Sequence, residues 1–196
     1  FPETAEAQPE LLAHHYTEAG LTEQAVHYWH HAGQRASERS AHVEAIAYLR
    51  QGLQLLQTLP ETRERVQREV DVLIALGASL IAAKSYAAPE AGETYTYARQ
   101  LCQPLEDPQR LFPVLRGLWN YAFVRAEYQT AHALGEQLLT LAQQSQDSAM
   151  LVAAHRAFGT TLFLQGAAAE AHTHLAQGLA LYDLQQHRAY AFLYGE

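Results

Sequence analysis

Residues 155–183 read HRAFGTTLFLQGAAAEAHTHLAQGLALYD. Gly159 is followed twelve residues later by Ala171, and Gly178 stands seven beyond that. Phe158 and Leu162 precede the midpoint and Leu175 follows it, while Leu164-Gln165-Gly166-Ala167 interrupts the apolar pattern and divides the stretch in two. Small residues at helical spacing let two antiparallel helices approach closely, and the large apolar ones fill the seam between them. The stretch therefore predicts a helix-turn-helix pair.

Working outward, the same pattern recurs. Gly33, Ala45 and Gly52 repeat the spacings of twelve and nineteen, preceded by Trp29. Gly77, Leu80, Ala91, Tyr95 and Ala98 form a further pair with two extra residues in the turn. Leu115, Leu118, Trp119, Ala131 and Leu138 form another, in which a bulky Trp stands where a small residue is expected; this predicts a looser helix pair. Ala13, Tyr16, Gly20, Ala25, Trp29 and Ala32 also fit, because the segment 22–38 serves as second helix of one unit and first of the next. The marker alanines Ala45, Ala91, Ala131 and Ala171 lie 46, 40 and 40 residues apart.

This pattern resembles a degenerate tetratricopeptide repeat, a helix pair of about 34 residues. The resemblance implies an all-α, right-handed α-solenoid of antiparallel helix pairs, about nine to ten helices in all. The expected pairs cover 9–38, 22–58, 62–104, 108–145 and 148–183, and a further helix begins at 186–196. Local signals mark the ends. Pro9 precedes and Gly20 follows the first helix. Thr22, Ser40, Thr62 and Asp147 or Ser148 are expected N-caps. Pro113 is expected in the first turn of a helix over about 110–125, because an interior proline costs about 3 kcal/mol. Connections this short predict antiparallel neighbours. Neither end of the chain reads as a natural terminus, so the 196 residues are expected to be part of a longer protein.

A narrower resemblance is carried by PELLAHHYTEAGLTEQAVHYWHHAGQRASERSAHVEAIAYLRQGLQLLQTLP, KSYAAPEAGETYTYARQLCQ and LFPVLRGLW. These strings look like the helical-repeat tail of bacterial proteins that join a class III adenylate/guanylate cyclase domain to a STAND-type ATPase module. The resemblance implies that cyclase and ATPase activities belong to segments outside this chain.

Composition narrows the function classes. Thirteen basic residues against 21 acidic give a net charge of −8, with Lys84 the single lysine. A phosphate-binding surface needs a cationic excess, so nucleic acid is not an expected partner. The one cysteine, Cys102, permits no intrachain disulfide and fits a cytoplasmic protein. No run approaches a membrane span, and no membrane contact is expected. There is no P-loop, dinucleotide fingerprint, HExxH or nucleophile elbow. The chain is expected to be no enzyme and to need no cofactor. Eleven histidines are the one oddity: His27 and His31 share a helix face, His30 is adjacent, and His14 and His15 lie on the neighbouring helix. Packing and solvent-facing roles account for them, and no metal site is expected.

In such repeats the first helix of each pair lines a groove. Projection places His27, His30 and Gln34 there, then Asp71, Ile74 and Ala78, then Arg116, Asn120 and Phe123, and finally Arg156, Thr160 and Phe163. Arg116 and Asn120, one turn apart, match two positions at which chaperone-binding repeats hold a peptide's terminal carboxylate, and arginine suits that contact. The asparagine expected on the next repeat falls at Ala157, which leaves the match partial. The plainer account is a solvated groove, or Arg116 paired with a nearby carboxylate such as Glu127 or Asp71. The expected function is a non-catalytic interaction or sensor scaffold docking a peptide or a domain, including domains of its own parent chain. The alternatives are a self-assembly module that dimerises through its terminal helices, and a small-molecule sensor with a pocket near Trp119, Phe123 and Phe163.

Overall fold

The computed structural model describes residues 8–183. Nine helices and no strand occur among them: α1 (Pro9–Glu18), α2 (Thr22–Glu38), α3 (His42–Leu56), α4 (Arg63–Ala83), α5 (Pro89–Cys102), α6 (Pro108–Val124), α7 (Tyr128–Ser145), α8 (Ser148–Leu164) and α9 (Ala168–Leu181). The protein is all-α. The helix expected from 186 lies outside the described residues. The chain divides into two compact units, Phe1–Leu105 and Glu106–Glu196. In each, every helix packs on the one before it, and in each a pair of alternate helices also touches: α2 with α4, and α6 with α8.

The glycine spacing marks close helix approach. A Cβ at Gly33 would come within 2.5 Å of Leu49, at Gly77 within 2.5 Å of the Tyr95 ring, and at Gly159 within 2.9 Å of Leu175. Glycine is required at these crossings by space, not by torsion. Leu49 lies sixteen residues after Gly33 and Leu175 sixteen after Gly159, whereas Tyr95 lies eighteen after Gly77, so the longer turn moves the partner by two. Leu49 and Tyr95 are buried, so overfilling either of those crossings costs about 1–3 kcal/mol, whereas Leu175 is exposed.

Four of the turns share one backbone design. Gly20, Ser40, Ala126 and Gly166 have φ of 70°, 60°, 60° and 85°. The amide after each bonds back five residues: Leu21 to the Tyr16 carbonyl, Ala41 to Ala36 and Glu127 to Ala122 at 2.9 Å, and Ala167 to Leu162 at 3.0 Å. A left-handed residue followed by such a bond closes a helix C-terminus. Five residues past each left-handed position comes an alanine, Ala25, Ala45, Ala131 or Ala171, none more than 1% exposed. The two non-glycine cases carry strain, because a Cβ disfavours this region.

Two of the cap expectations are corrected here. Ser40 closes α2 instead of opening α3, whose N-cap is Ala41 with no side-chain bond. Thr22 is the first residue of α2, not its cap. Thr62 and Asp147 do cap: Thr62 Oγ1 accepts from the Arg65 amide, and Asp147 accepts from the amides of Ala149 and Met150. Pro113 is also corrected. Helix α6 starts at Pro108 under an Asp107 cap, which places Pro113 in its interior. There it lacks the N–H for one ladder bond.

The first unit holds an apolar core around Leu49, Leu56, Val72 and Leu80, and a smaller cluster of Ala13, Ala25 and Trp29. It also buries charge. Glu69 is 1% exposed; its carboxylate accepts from Arg65 Nη2 and from the Tyr97 hydroxyl, both at 2.9 Å. Arg65 Nε donates to the Leu56 carbonyl at 3.0 Å, tying α4 to the end of α3. Burial, and then the hydrogen bond to Glu69, raise the Tyr97 phenol above its ordinary value. The second unit buries Phe112, Leu115, Trp119, Leu138 and Met150 together. There Trp119 does not part α6 from α7. Its indole N–H donates to Thr161 Oγ1 of α8 at 2.9 Å, so the ring is accommodated toward the next helix pair.

Candidate functional site

In the first unit, helices α1, α2 and α4 line an open-sided cavity of about 480 Å³. Glu23, His27 and His30 lie at i, i+4 and i+7 of α2, one stripe of a single helix face, and all three line the cavity. Arg68 and Asp71, at i and i+3 of α4, line it as well, and so does Tyr16 of α1. Tyr16 stacks on Tyr28, ring centroids 5.2 Å apart and planes 12° apart.

The electrostatics of this cavity are unequal. Arg68 Nη1 lies 3.8 Å from Glu23 Oε2, and both side chains are about half exposed or more, 49% and 69%. A pair of that kind contributes little. His30 differs. Its Nε2 is buried and makes no hydrogen bond among the described residues. Burial holds its imidazole below the ordinary value, against the pull of Asp71. A neutral ring nitrogen left without a partner costs about 1–3 kcal/mol.

The other projected residues fall as follows. Gln34, one turn beyond His30, is exposed and outside the cavity lining. Arg116 is 3% exposed. Its guanidinium is therefore not presented to a solvent-open groove, which corrects its expected role in a carboxylate clamp; Asn120 is half-buried. Glu127, considered as the partner of Arg116, accepts from Arg125 Nε at 2.7 Å. Phe123 stacks on Trp119 at 4.8 Å, and the Arg156 guanidinium stands 6.0 Å from the Trp119 ring centroid. The Thr160 hydroxyl donates to the Arg156 carbonyl at 2.6 Å, so its proton is used within its own helix. Phe163 is 62% exposed. Trp119, beside which a small-molecule pocket was the alternative expectation, is 2% exposed and bonded to Thr161 of α8.

Among the described residues no group of three His, Cys, Asp or Glu side chains is arranged to hold a metal ion. His14 packs edge-on against Trp29 at 4.7 Å and His27 edge-on against Tyr28 at 5.2 Å. Projection missed Tyr16, Glu23 and Arg68 as lining residues. Glu23 and Arg68 were within reach of the same helical count, four before His27 and three before Asp71. Tyr16 comes from a different helix and leaves no such signal.

The chain is similar to an uncharacterized protein of Rhizobium meliloti (strain 1021), with 26% identity over 174 residues. The match takes in 88% of this chain and 17% of the relative, so the chain spans about a sixth of that protein's length. No family model matches the chain. No helix among the described residues is long and apolar enough to cross a membrane.

Proposed function

We propose that the chain is a non-catalytic interaction module of tetratricopeptide-like helix pairs, docking a peptide or a domain on the face formed by α2 and α4. The cavity beside those helices carries the reading, because it combines apolar walls, convergent polar groups and a buried nitrogen without a partner. Concave sites with a few placed polar groups are where proteins take ligands. The repeated glycine crossings and left-handed turns support the tetratricopeptide-like description. The resemblance to repeat tails of cyclase and ATPase proteins, together with the greater length of the relative, supports a place in a larger bacterial signalling protein. In that setting a partner, or another domain of the same parent chain, occupies the face and reports on its state.

Panning a random heptapeptide display library on the immobilised chain tests the reading. The expected result is enrichment of peptides whose binding drops at least about tenfold, some 1.4 kcal/mol, when Asp71 or His27 is changed to alanine. No enrichment over uncoated support sinks it, as does binding indifferent to both changes.

A further inference from the structure

The cavity in the first unit has a chemical bias that goes beyond peptide docking in general. Glu23 and Asp71 supply two carboxylates against the single guanidinium of Arg68. Arg68 sits at the long end of an ion pair with Glu23, 3.8 Å, and both side chains reach solvent. An arriving cation can therefore take Glu23 over without breaking a buried contact. Asp71 acts electrostatically on the His30 ring, so both groups address the same region of the cavity. The buried Nε2 of His30 makes no hydrogen bond among the described residues. In one tautomer it is an acceptor, which calls for an N–H donor. The stacked rings of Tyr16 and Tyr28 form an aromatic wall, and such faces attract ammonium and guanidinium groups.

Size argues in the same direction. A volume of about 480 Å³ exceeds what an ion or a single water cluster needs, and fits a long side chain together with part of its backbone. An anionic ligand would meet the carboxylates of Asp71 and Glu23 among the lining residues. The chain as a whole carries −8, which favours approach of cationic partners.

We infer that this cavity receives a basic side chain, lysine or arginine, of a docked peptide, with Asp71 and Glu23 as counter-charges, His30 as acceptor and the Tyr16–Tyr28 pair as the aromatic wall. The inference rests on the groove reading and specifies its ligand. Arg68 then acts as a resident cation, occupying the carboxylate that the incoming group displaces it from.

The test uses the full chain and three blocked tripeptides, glycine-X-glycine with arginine, leucine or glutamate at the centre, followed by NMR. The arginine peptide is expected to shift resonances of residues 27–30 and 68–72 and to bind at least tenfold more tightly than the leucine peptide. Asp71→Asn is expected to weaken it about tenfold, and Arg68→Ala to strengthen it several-fold. His30→Leu is expected to weaken binding while raising the melting temperature, a combination that a purely structural histidine would not give. Equal binding of the leucine or glutamate peptide overturns the inference, and so does indifference to Asp71→Asn. Library peptides that bind through α2 and α4 but carry no basic residue overturn this ligand class and leave the groove reading standing. Failure of the library to enrich any peptide removes both.

Discussion

The two units use one helical frame and end with opposite interiors beside their alternate helices. Next to α2 and α4 there is a polar cavity; between α6 and α8 there is Trp119, bonded across to Thr161. Counting back from the helix crossing shows where they part. Six residues before Gly77 stands Asp71, and six before Gly159 stands Ala153; nine before stand Arg68 and Met150. Ala153 and Met150 are 2% and 1% exposed. The crossing residues differ as well, with Gly33 in the first unit where the second has Trp119. A repeat preserves the backbone seam, while the residues a turn or two away decide whether the space beside it is wet or packed.

The comparison breaks most readily at Trp119. Trp119→Ala removes a buried indole and leaves a void between α6 and α8, at an expected cost of about 3–5 kcal/mol. Urea denaturation measures it; a loss below about 1 kcal/mol would show that the indole does not close the second unit. Exchanging the side chains that distinguish the two interiors comes next. Ala153→Asp places a carboxylate at a position only 2% exposed and is expected to cost at least about 3 kcal/mol. Asp71→Ala, at a half-buried position facing a cavity, is expected to cost less than about 1 kcal/mol. Equal losses from the two changes would erase the distinction.

Smaller effects sharpen it. Ser40→Gly in the first unit and Ala126→Gly in the second relieve a left-handed Cβ, partly offset by greater freedom of the unfolded chain. Each is expected to stabilise by roughly 0.5–1 kcal/mol in thermal melts, and a loss on either would contradict the shared turn design.

The pH response is the subtlest. His30 in the first unit and His155 in the second both have imidazoles held below the ordinary value by burial, with His174 adding to the effect at His155. His155 Nδ1 lies 3.1 Å from His174 Nδ1, within hydrogen-bond distance. The unfolded chain takes up protons first, so stability from these groups is fully present above about 6.5 and is lost as pH falls below it. His30→Leu should flatten the first unit's response and His155→Leu the second's. A stability that rises on acidification from 7 to 6 would reverse the sign and refute the assignment.

Much of the helical plan was legible because helix pairing is written in short-range spacing. The interval of twelve from glycine to alanine predicted the crossings at Gly33 and Gly159, and the two extra residues in the turn after Gly77 account for Tyr95 as its partner. Helix ends were less legible. Serine suits an N-cap and tolerates a turn, and only the torsion of 60° shows that Ser40 is doing the second. Pro113 was misplaced because Asp107 captured the amides of Gln109 and Arg110 and began the helix earlier. Helical projection gives the direction of a side chain and not its depth. It put His30 and Arg116 on one kind of face, three residues before Gly33 and before Trp119 respectively. Yet His30 borders a cavity and Arg116 is buried.

The sequence alone determined that this is an all-α chain of antiparallel helix pairs, since small-residue spacing, turn residues and apolar periodicity act within about twenty residues of one another. It also determined the acidic balance and placed His27, His30 and Asp71 on groove-facing helix positions. Only the tertiary structure decided that Tyr16, Glu23, His30, Arg68 and Asp71 share one cavity and that Trp119 fills the comparable space in the second unit. Those outcomes depend on which side chains three different helices bring face to face, and no single helix carries that information.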